Sequence, residues 1–268
     1  MSKPFRSRSN KPQRNKLARG EKHARDEEGP IYLYGFHACE AALKNPTRKV
    51  ISAHLTKNMA DRLTGEGVNL PDNWTECRPR EMDGLVERDA VHQGVILEVD
   101  PLAQPTLEGV RHHNLILVLD QLTDPHNVGA IIRSACAIGA GAVVTTRRHA
   151  PHESGLLAKT ASGAFEHTPY IQVTNLARAV DEMRALGFFT IGLDSDGEND
   201  LLDTVAQNKQ RDKIALILGA EGRGLRRLTR DLCDALARLD MEGPIKSLNV
   251  SNAAALSMFI CQQSLEGS

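Results

Sequence analysis

Two hydrophobic periods alternate along this chain. Unbroken apolar runs at 115–120 (LILVLD) and 214–219 (IALILG) are too short for helices and offer water no polar side, which predicts strands buried on both faces. Between them lie stretches with apolar residues three and four apart. One is VGAIIRSACAI; another is NLARAVDEMRALG, where Asn175 reads as an N-cap and Gly187 as the stop. Each is followed by a further short apolar run, AVVTT and FFTIGLD, and LTRDLCDALARL holds a short helix and then a strand. Strands alternating with helices predict an α/β fold with a parallel sheet covered on both sides.

The front of the chain follows a smaller plan. IYLY predicts a strand, a helix follows around His37 to Lys44, and Asn45-Pro46 marks a turn. VISAHLT alternates as a strand does, and VILEV at 95–99 closes a compact α/β module. Proline and polar residues then crowd the sequence. At 268 residues the chain is long enough for two modest domains. The predicted division is an arm over 1–30, a module over 31–100, a linker over 101–114 and a larger domain over 115–268.

Charge changes this picture at one end. The net charge is −1, yet residues 1–30 carry nine Lys/Arg against four acids, so the arm is +5 and the other residues sum to −6. With no apolar face the arm is too polar to bury itself and is expected to be disordered alone. It lacks the apolar core of a secretory signal, and no run approaches the roughly 20 apolar residues that cross a bilayer, so a cytosolic protein is expected. The five cysteines, Cys39, Cys77, Cys136, Cys233 and Cys261, include no Cys-x-x-Cys pair and read as reduced, mostly buried small hydrophobes. No metal site is expected.

In open parallel sheets the ligand crevice lies beyond the carboxyl ends of the strands, so the residues just after the apolar runs are the candidates for chemistry. After IALILG, the sequence GAEGRGL lets Gly219, Gly222 and Gly224 bend the backbone close to a ligand while Glu221 and Arg223 project. It has neither the Gly-Lys-Ser/Thr ending of a phosphate loop nor the Gly-x-Gly-x-x-Gly of dinucleotide folds, and a plain turn would also use glycines. After LILVLD, DPHNVGAIIRSA places Asn127 at an expected helix N-cap and Arg133 on a helix of small and apolar residues. That arginine either snorkels to solvent or enters a polar pocket. Last comes MEGPIKSLNVSNAAALSMF, residues 241–259, where Ser247, Asn249, Ser251 and Asn252 are more hydrogen-bonding groups than capping one helix from about Ala253 requires.

Taken together and in order, Asn-x-Gly-x-x-x-Arg after a strand, Gly-Ala-Glu-Gly-x-Gly and a terminal Ser-Leu-Asn-Val-Ser resemble motifs 1 to 3 of the SpoU/TrmH (SPOUT) RNA ribose 2′-O-methyltransferases. YGFHACEAAL and AVHQGVILEV resemble the small RNA-binding domain, of ribosomal-protein L30-like fold, in the branch that methylates a guanosine of 23S rRNA. The resemblance implies a homodimer, S-adenosylmethionine as cofactor, and a trefoil knot in the C-terminal domain. The knot is implied by the family alone, since topology rules disfavour threading. By matching position, the backbone of Gly219, Leu239 and Leu248 would grip the cofactor, Met241 and Ser247 would line the bend, and Arg133, Asn127, Glu221 and Asn249 would carry catalysis. Asp240, where many relatives have proline, and Asn252, where an apolar residue is common, depart from the pattern.

An RNA substrate on a body of −6 needs local positive patches. Arg147 and Arg148, the run Arg223, Arg226, Arg227 and Arg230, and the arm are the candidates. Aromatic residues are only 4%, so recognition should rest on phosphates, shape and 2′-hydroxyls more than on stacking. Other readings of the same residues are a tRNA ribose methylase, a non-catalytic RNA-binding ribosome-assembly factor, and a nucleotide-dependent dehydrogenase. The missing Gly-x-Gly-x-x-Gly counts against the last.

Overall fold

The computed structural model describes residues 30–220, 222–245 and 247–266, which form two sheets. The first contains β1 (Ile31–Tyr34), α1 (Phe36–Lys44), β2 (Val50–Leu55), α2 (Lys57–Gly65), β3 (Trp74–Glu76), α3 (Pro79–Met82) and β4 (Val95–Val99). Its order is β1-β4-β2-β3, with β1 and β2 antiparallel to the apolar β4 and β3 parallel to β2. α2 and β3 were not foreseen. Their sequence is largely polar, and only Met59, Ala60 and Leu63 mark the buried side of α2.

The second sheet is built from β5 (Leu115–Asp120), α4 (Pro125–Ile138), β6 (Ala142–Thr146), α5 (Gly155–Ala161), β7 (Tyr170–Val173), α6 (Leu176–Ala185), β8 (Phe189–Leu193), β9 (Asn199–Asp200), α7 (Leu201–Gln207), β10 (Ile214–Gly219), α8 (Arg227–Leu232), β11 (Ala235–Arg238) and α9 (Val250–Glu266). The seven strands run parallel in the order β7-β6-β5-β10-β8-β11-β9. Alternation along β5 and β10 explains the two-sided burial. Leu115, Leu117, Leu119, Leu216 and Leu218 join the core under α4 and α9, while Ile116, Val118, Ala215 and Ile217 join the core under α6. Because β10 is inserted between β5 and β8, strand order reverses there and opens a crevice at the carboxyl ends.

Several expectations shift by a few residues. The N-cap of α4 is Asp124, whose side chain accepts from the backbone N–H of His126 and Asn127; Pro125 occupies the first turn, so Asn127 lies inside the helix. α9 begins at Val250, ahead of the expected Ala253, because Asn249 Oδ1 accepts from Ser251 N at 2.9 Å. The expected linker is anchored: Leu107 and Val110, around a short 3₁₀ turn, pack into the core beside Ile116. Of the cysteines only Cys39 and Cys261 are fully buried, and Cys233 stands just past the end of α8. Burial pushes the Cys261 thiol up to about 12, which makes it an inert hydrophobe.

The two sheets are joined by a packed and charged seam. Ala158 of α5 belongs to the core of the first unit, and a Cβ at Gly155 would strike Tyr32 O and the Tyr34 ring, so α5 lies flush against β1. Beside it Arg48, with a fully buried side chain, pairs with Glu153 at 2.6 Å and Glu166 at 2.5 Å. It also donates to Asp100 O at 3.0 Å, and Asn45 Nδ2 donates to Glu166 at 2.7 Å. Burial pushes the Glu153 carboxyl above its ordinary value, and the Arg48 charge pulls it back only in part. Removing the arginine would leave two enclosed acids facing each other. Arg48→Met should therefore lose about 3–5 kcal/mol of unfolding free energy in a urea titration, and a change under 1 kcal/mol would show that the seam does not hold the units together.

Candidate active site

The crevice at the reversal of strand order is a cavity of about 440 Å³. Its walls come from the ends of β8, β10 and β11 and the start of α9: Leu193 to Ser195, Gly219 and Ala220, Leu239 to Met241, Ser247, Leu248 and Ala253 among them. That size is within the range of small-molecule sites, and the lining mixes apolar side chains with exposed backbone, which suits a ligand with an apolar body and fixed hydrogen-bonding edges. Gly219, Leu239, Met241, Ser247 and Leu248, singled out from the sequence, all line this one space.

The loop after β10 is held tightly. A Cβ at Gly219 would land in the backbone of Gly224 and Leu225, and Gly222 and Gly224 have φ of 74° and 62°, so this turn requires glycine at all three places. Gly224 N donates to Ala220 O at 2.9 Å, closing the turn on itself. Its far end is tied to β5: Asp120, side chain fully buried, accepts from Arg226 Nε at 2.7 Å and from Arg226 N at 3.2 Å. Glu221 lies outside the described residues, as do residues 1–29 of the basic arm.

The wall after β11 answers the departure at Asp240. Its carboxylate pairs with Arg238 at 2.7 Å and its backbone N–H donates to Asp200 at 3.0 Å, a bond that proline could not make. Arg238 in turn donates to Gly197 O at 2.8 Å and Glu198 O at 2.6 Å, so the bend is braced by charge instead of by a ring.

Of the residues matched to catalysis, two meet. Asn249 Nδ2 donates to Asn127 Oδ1 at 3.1 Å, which ties the first turn of α4 to the residue just before α9, between the cavity-lining Leu248 and Val250. Arg133 does not reach it. Six residues further along α4, about 9 Å at the rise of a helix, it lines a different hollow with His37, Lys44 and His167, and it has no ion pair among the described residues. Two residues passed over in the sequence, Asp194 and Ser195, line the cavity, and Asp194 is tied to Arg230 at 3.3 Å. They directly follow the run FFTIGL, so the end-of-strand rule applied to that run as well would have found them. The expected basic run is largely neutralised: Arg226 pairs with Asp120, Arg227 with Asp231 and Arg230 with Asp194 and Asp196. Arg147, Arg148 and Arg223 remain exposed.

Comparison with known proteins agrees with this geometry. Residues 114–259 match the SpoU rRNA Methylase family, and residues 32–105 match the RNA 2′-O ribose methyltransferase substrate binding family. A relative from Ralstonia nicotianae, named 23S rRNA (guanosine-2′-O-)-methyltransferase RlmB, is 37% identical over 85% of this chain and 93% of its own. A protein of the same name from Pseudomonas aeruginosa is 38% identical over 85% of this chain and 94% of its own. Among solved structures, the SpoU methyltransferase AviRb from Streptomyces viridochromogenes, crystallised with the cofactor AdoMet, shares the fold at a TM-score of 0.73. It is 23% identical and covers 88% of this chain and 90% of its own.

Asp120→Ala should free the loop after β10 while leaving the sheet intact. Arg226 is 42% exposed and can turn to water, so the loss should be about 1–2 kcal/mol rather than that of a buried orphan charge. Hydrogen exchange should speed up at residues 222–226 and stay unchanged in β5 and β10; uniform protection would show that the ion pair does not set the loop.

Proposed function

Because the chain belongs to the SpoU rRNA methylase family, we propose that it transfers a methyl group from S-adenosylmethionine to the ribose 2′-hydroxyl of a guanosine in 23S rRNA, acting in the cytosol as a homodimer. One observation carries this reading: loops distant in sequence, after β10, after β11 and before α9, share the walls of a single cavity of about 440 Å³. The residues fit the cofactor. Backbone groups at Gly219, Leu239 and Leu248 would face its adenine and amino-acid edges, and the side chains of Leu193, Met241 and Leu248 its apolar parts. When bound, that cofactor supplies a methyl group on a positively charged sulfur.

The chain's own residues then have three tasks: to hold the cofactor, align the hydroxyl in line, and manage its proton. Asn249, between the cavity-lining Leu248 and Val250, and Asn127 bonded to it offer amide donors and acceptors to a ribose. A guanidinium already holds its proton and offers only donors, so the role of Arg133 is to stabilise the developing alkoxide or clamp the neighbouring phosphate. The proton leaves to that phosphate or to water. Glu221, by its place in the motif, helps shape the site.

Arg133 stands apart from its own chain's cavity, which supports a dimer in which a second copy supplies it. Leu256 and Phe259 on α9 are 40% and 55% exposed, an apolar face beside α4 that a two-fold partner would cover. The family's trefoil knot is part of the proposal; β10 inserted between β5 and β8, with α9 returning against β5 and β10, supports it.

Arg133→Ala should abolish transfer of tritiated methyl to 23S rRNA while leaving cofactor affinity by calorimetry within about threefold. Leu248→Glu should block the cavity from a partly exposed position without disturbing the core. Mixed dimers of the two inactive variants hold one complete site in half of the molecules, so about a quarter of wild-type activity should return. A mixture as inactive as its parents would mean that each copy uses its own arginine.

A further inference from the structure

Where the two units meet, a second hollow of about 420 Å³ lies between α1, α4 and the segment 162–167. Its lining on α1 is His37, Glu40, Ala41 and Lys44, spaced as one face of a helix, and on α4 it is Arg133, Cys136 and Ala137. His167 and Ser162 complete it. The segment is pressed against α1: a Cβ on Gly163 would come within 2.9 Å of His37 O and 3.0 Å of the Ala41 Cβ. The buried network of Arg48, Glu153 and Glu166 lies on the same seam, with Glu166 adjacent in sequence to His167, so the walls belong to a fixed junction.

The charge in this hollow is one-sided. Glu40 is its sole acidic lining residue among the described residues, and it is already engaged by Lys44 at 2.7 Å and His37 at 3.8 Å. Arg133 has no carboxylate partner among the described residues, and the two imidazoles add ring N–H groups that can donate to a phosphate oxygen. On a body that is otherwise acidic, these side chains converge from both units on one concave surface.

We propose that this hollow seats the phosphodiester backbone of the substrate RNA, with Lys44, His37 and His167 gripping the strand next to the nucleotide that Arg133 attends. The proposal rests on the methyltransferase reading and deepens it. It assigns the binding energy to a surface shared by both units, so that a strand held by α1 is at once placed against α4. Lys44 and His167 act as substrate-binding residues and take no part in the chemistry. Long-range attraction between cations and phosphates makes the grip sensitive to salt.

The test uses the full chain, a 23S rRNA transcript lacking modification, and the variants Lys44→Gln, Lys44→Arg and His167→Gln. Both glutamine variants should raise KM for the transcript about three- to tenfold, with kcat and cofactor affinity within about twofold of wild type. Lys44→Gln should also lower the salt slope of binding, read by fluorescence anisotropy, by about one. Lys44→Arg should restore the slope. Unchanged KM and slope in both glutamine variants, with the wild type active, would overturn the phosphate seat and leave the methyltransferase standing. A wild-type protein that methylates no RNA would sink the enzymatic reading, and the anisotropy slopes would still decide the seat.

Discussion

A carboxylate with no exposed side-chain surface sits at the end of β5, and its counter-ion comes from a loop more than a hundred residues later. Without Arg226 the enclosed Asp120 carboxylate would lose its charged partner, and Arg226 cannot reach it unless the turn from Gly219 to Gly224 closes as it does. This coupling links the first and second motif loops. β10 supplies the geometry by entering between β5 and β8, where all three strands are buried on both faces and have no freedom to slide. The pocket is thus a by-product of strand order, made specific by one ion pair and three glycines.

The second constraint is the seam. Units joined by a linker alone would be expected to move relative to one another. Here the linker is pinned by Leu107 and Val110, and Leu102 N donates to Glu153, the same acid that Arg48 holds. Backbone from the linker, side chains from the first unit and acids from the second meet in one buried cluster. Ala158 meanwhile contributes to the core of the unit that does not contain it. α1 is therefore presented to α4 at a fixed angle, which a surface shared between the two requires.

Much of the parallel sheet was legible in sequence because β5 and β10 are unbroken apolar runs and α4 and α6 have clear helical spacing. The rule that ligand-facing loops follow buried strands marked the stretches around the cavity, while its five individual residues came from the resemblance to the family's motifs. α5 and α7 were not, because both are only seven residues long and their buried positions are shared with a neighbouring unit or with α9. Asn127 was misplaced at the N-cap because Asp124-Pro125, the stronger start signal, stands three residues earlier. The seam was invisible: nothing in the spacing of Arg48, Glu153 and Glu166 announces that they share one buried site. The arginines after β10 misled in the opposite direction, since a basic run in sequence became ion pairs once Asp120, Asp194 and Asp231 were brought alongside.

That neutralisation bears on how an acidic body can hold an acidic substrate. An arginine already paired with a carboxylate offers little net field to an approaching phosphate, and an exposed pair is further screened by salt. Attraction must then come from places where cations outnumber carboxylates, as Lys44 and Arg133 outnumber Glu40 in the hollow between the units. Arg133 is exposed on α4 with no carboxylate partner among the described residues, and it stands at the junction of the two units instead of at the mouth of its own chain's cavity. In the proposed dimer that position has a physical reason: a strand of RNA would bring the negative charge, and a second copy the cofactor cavity, that the first copy does not place beside it.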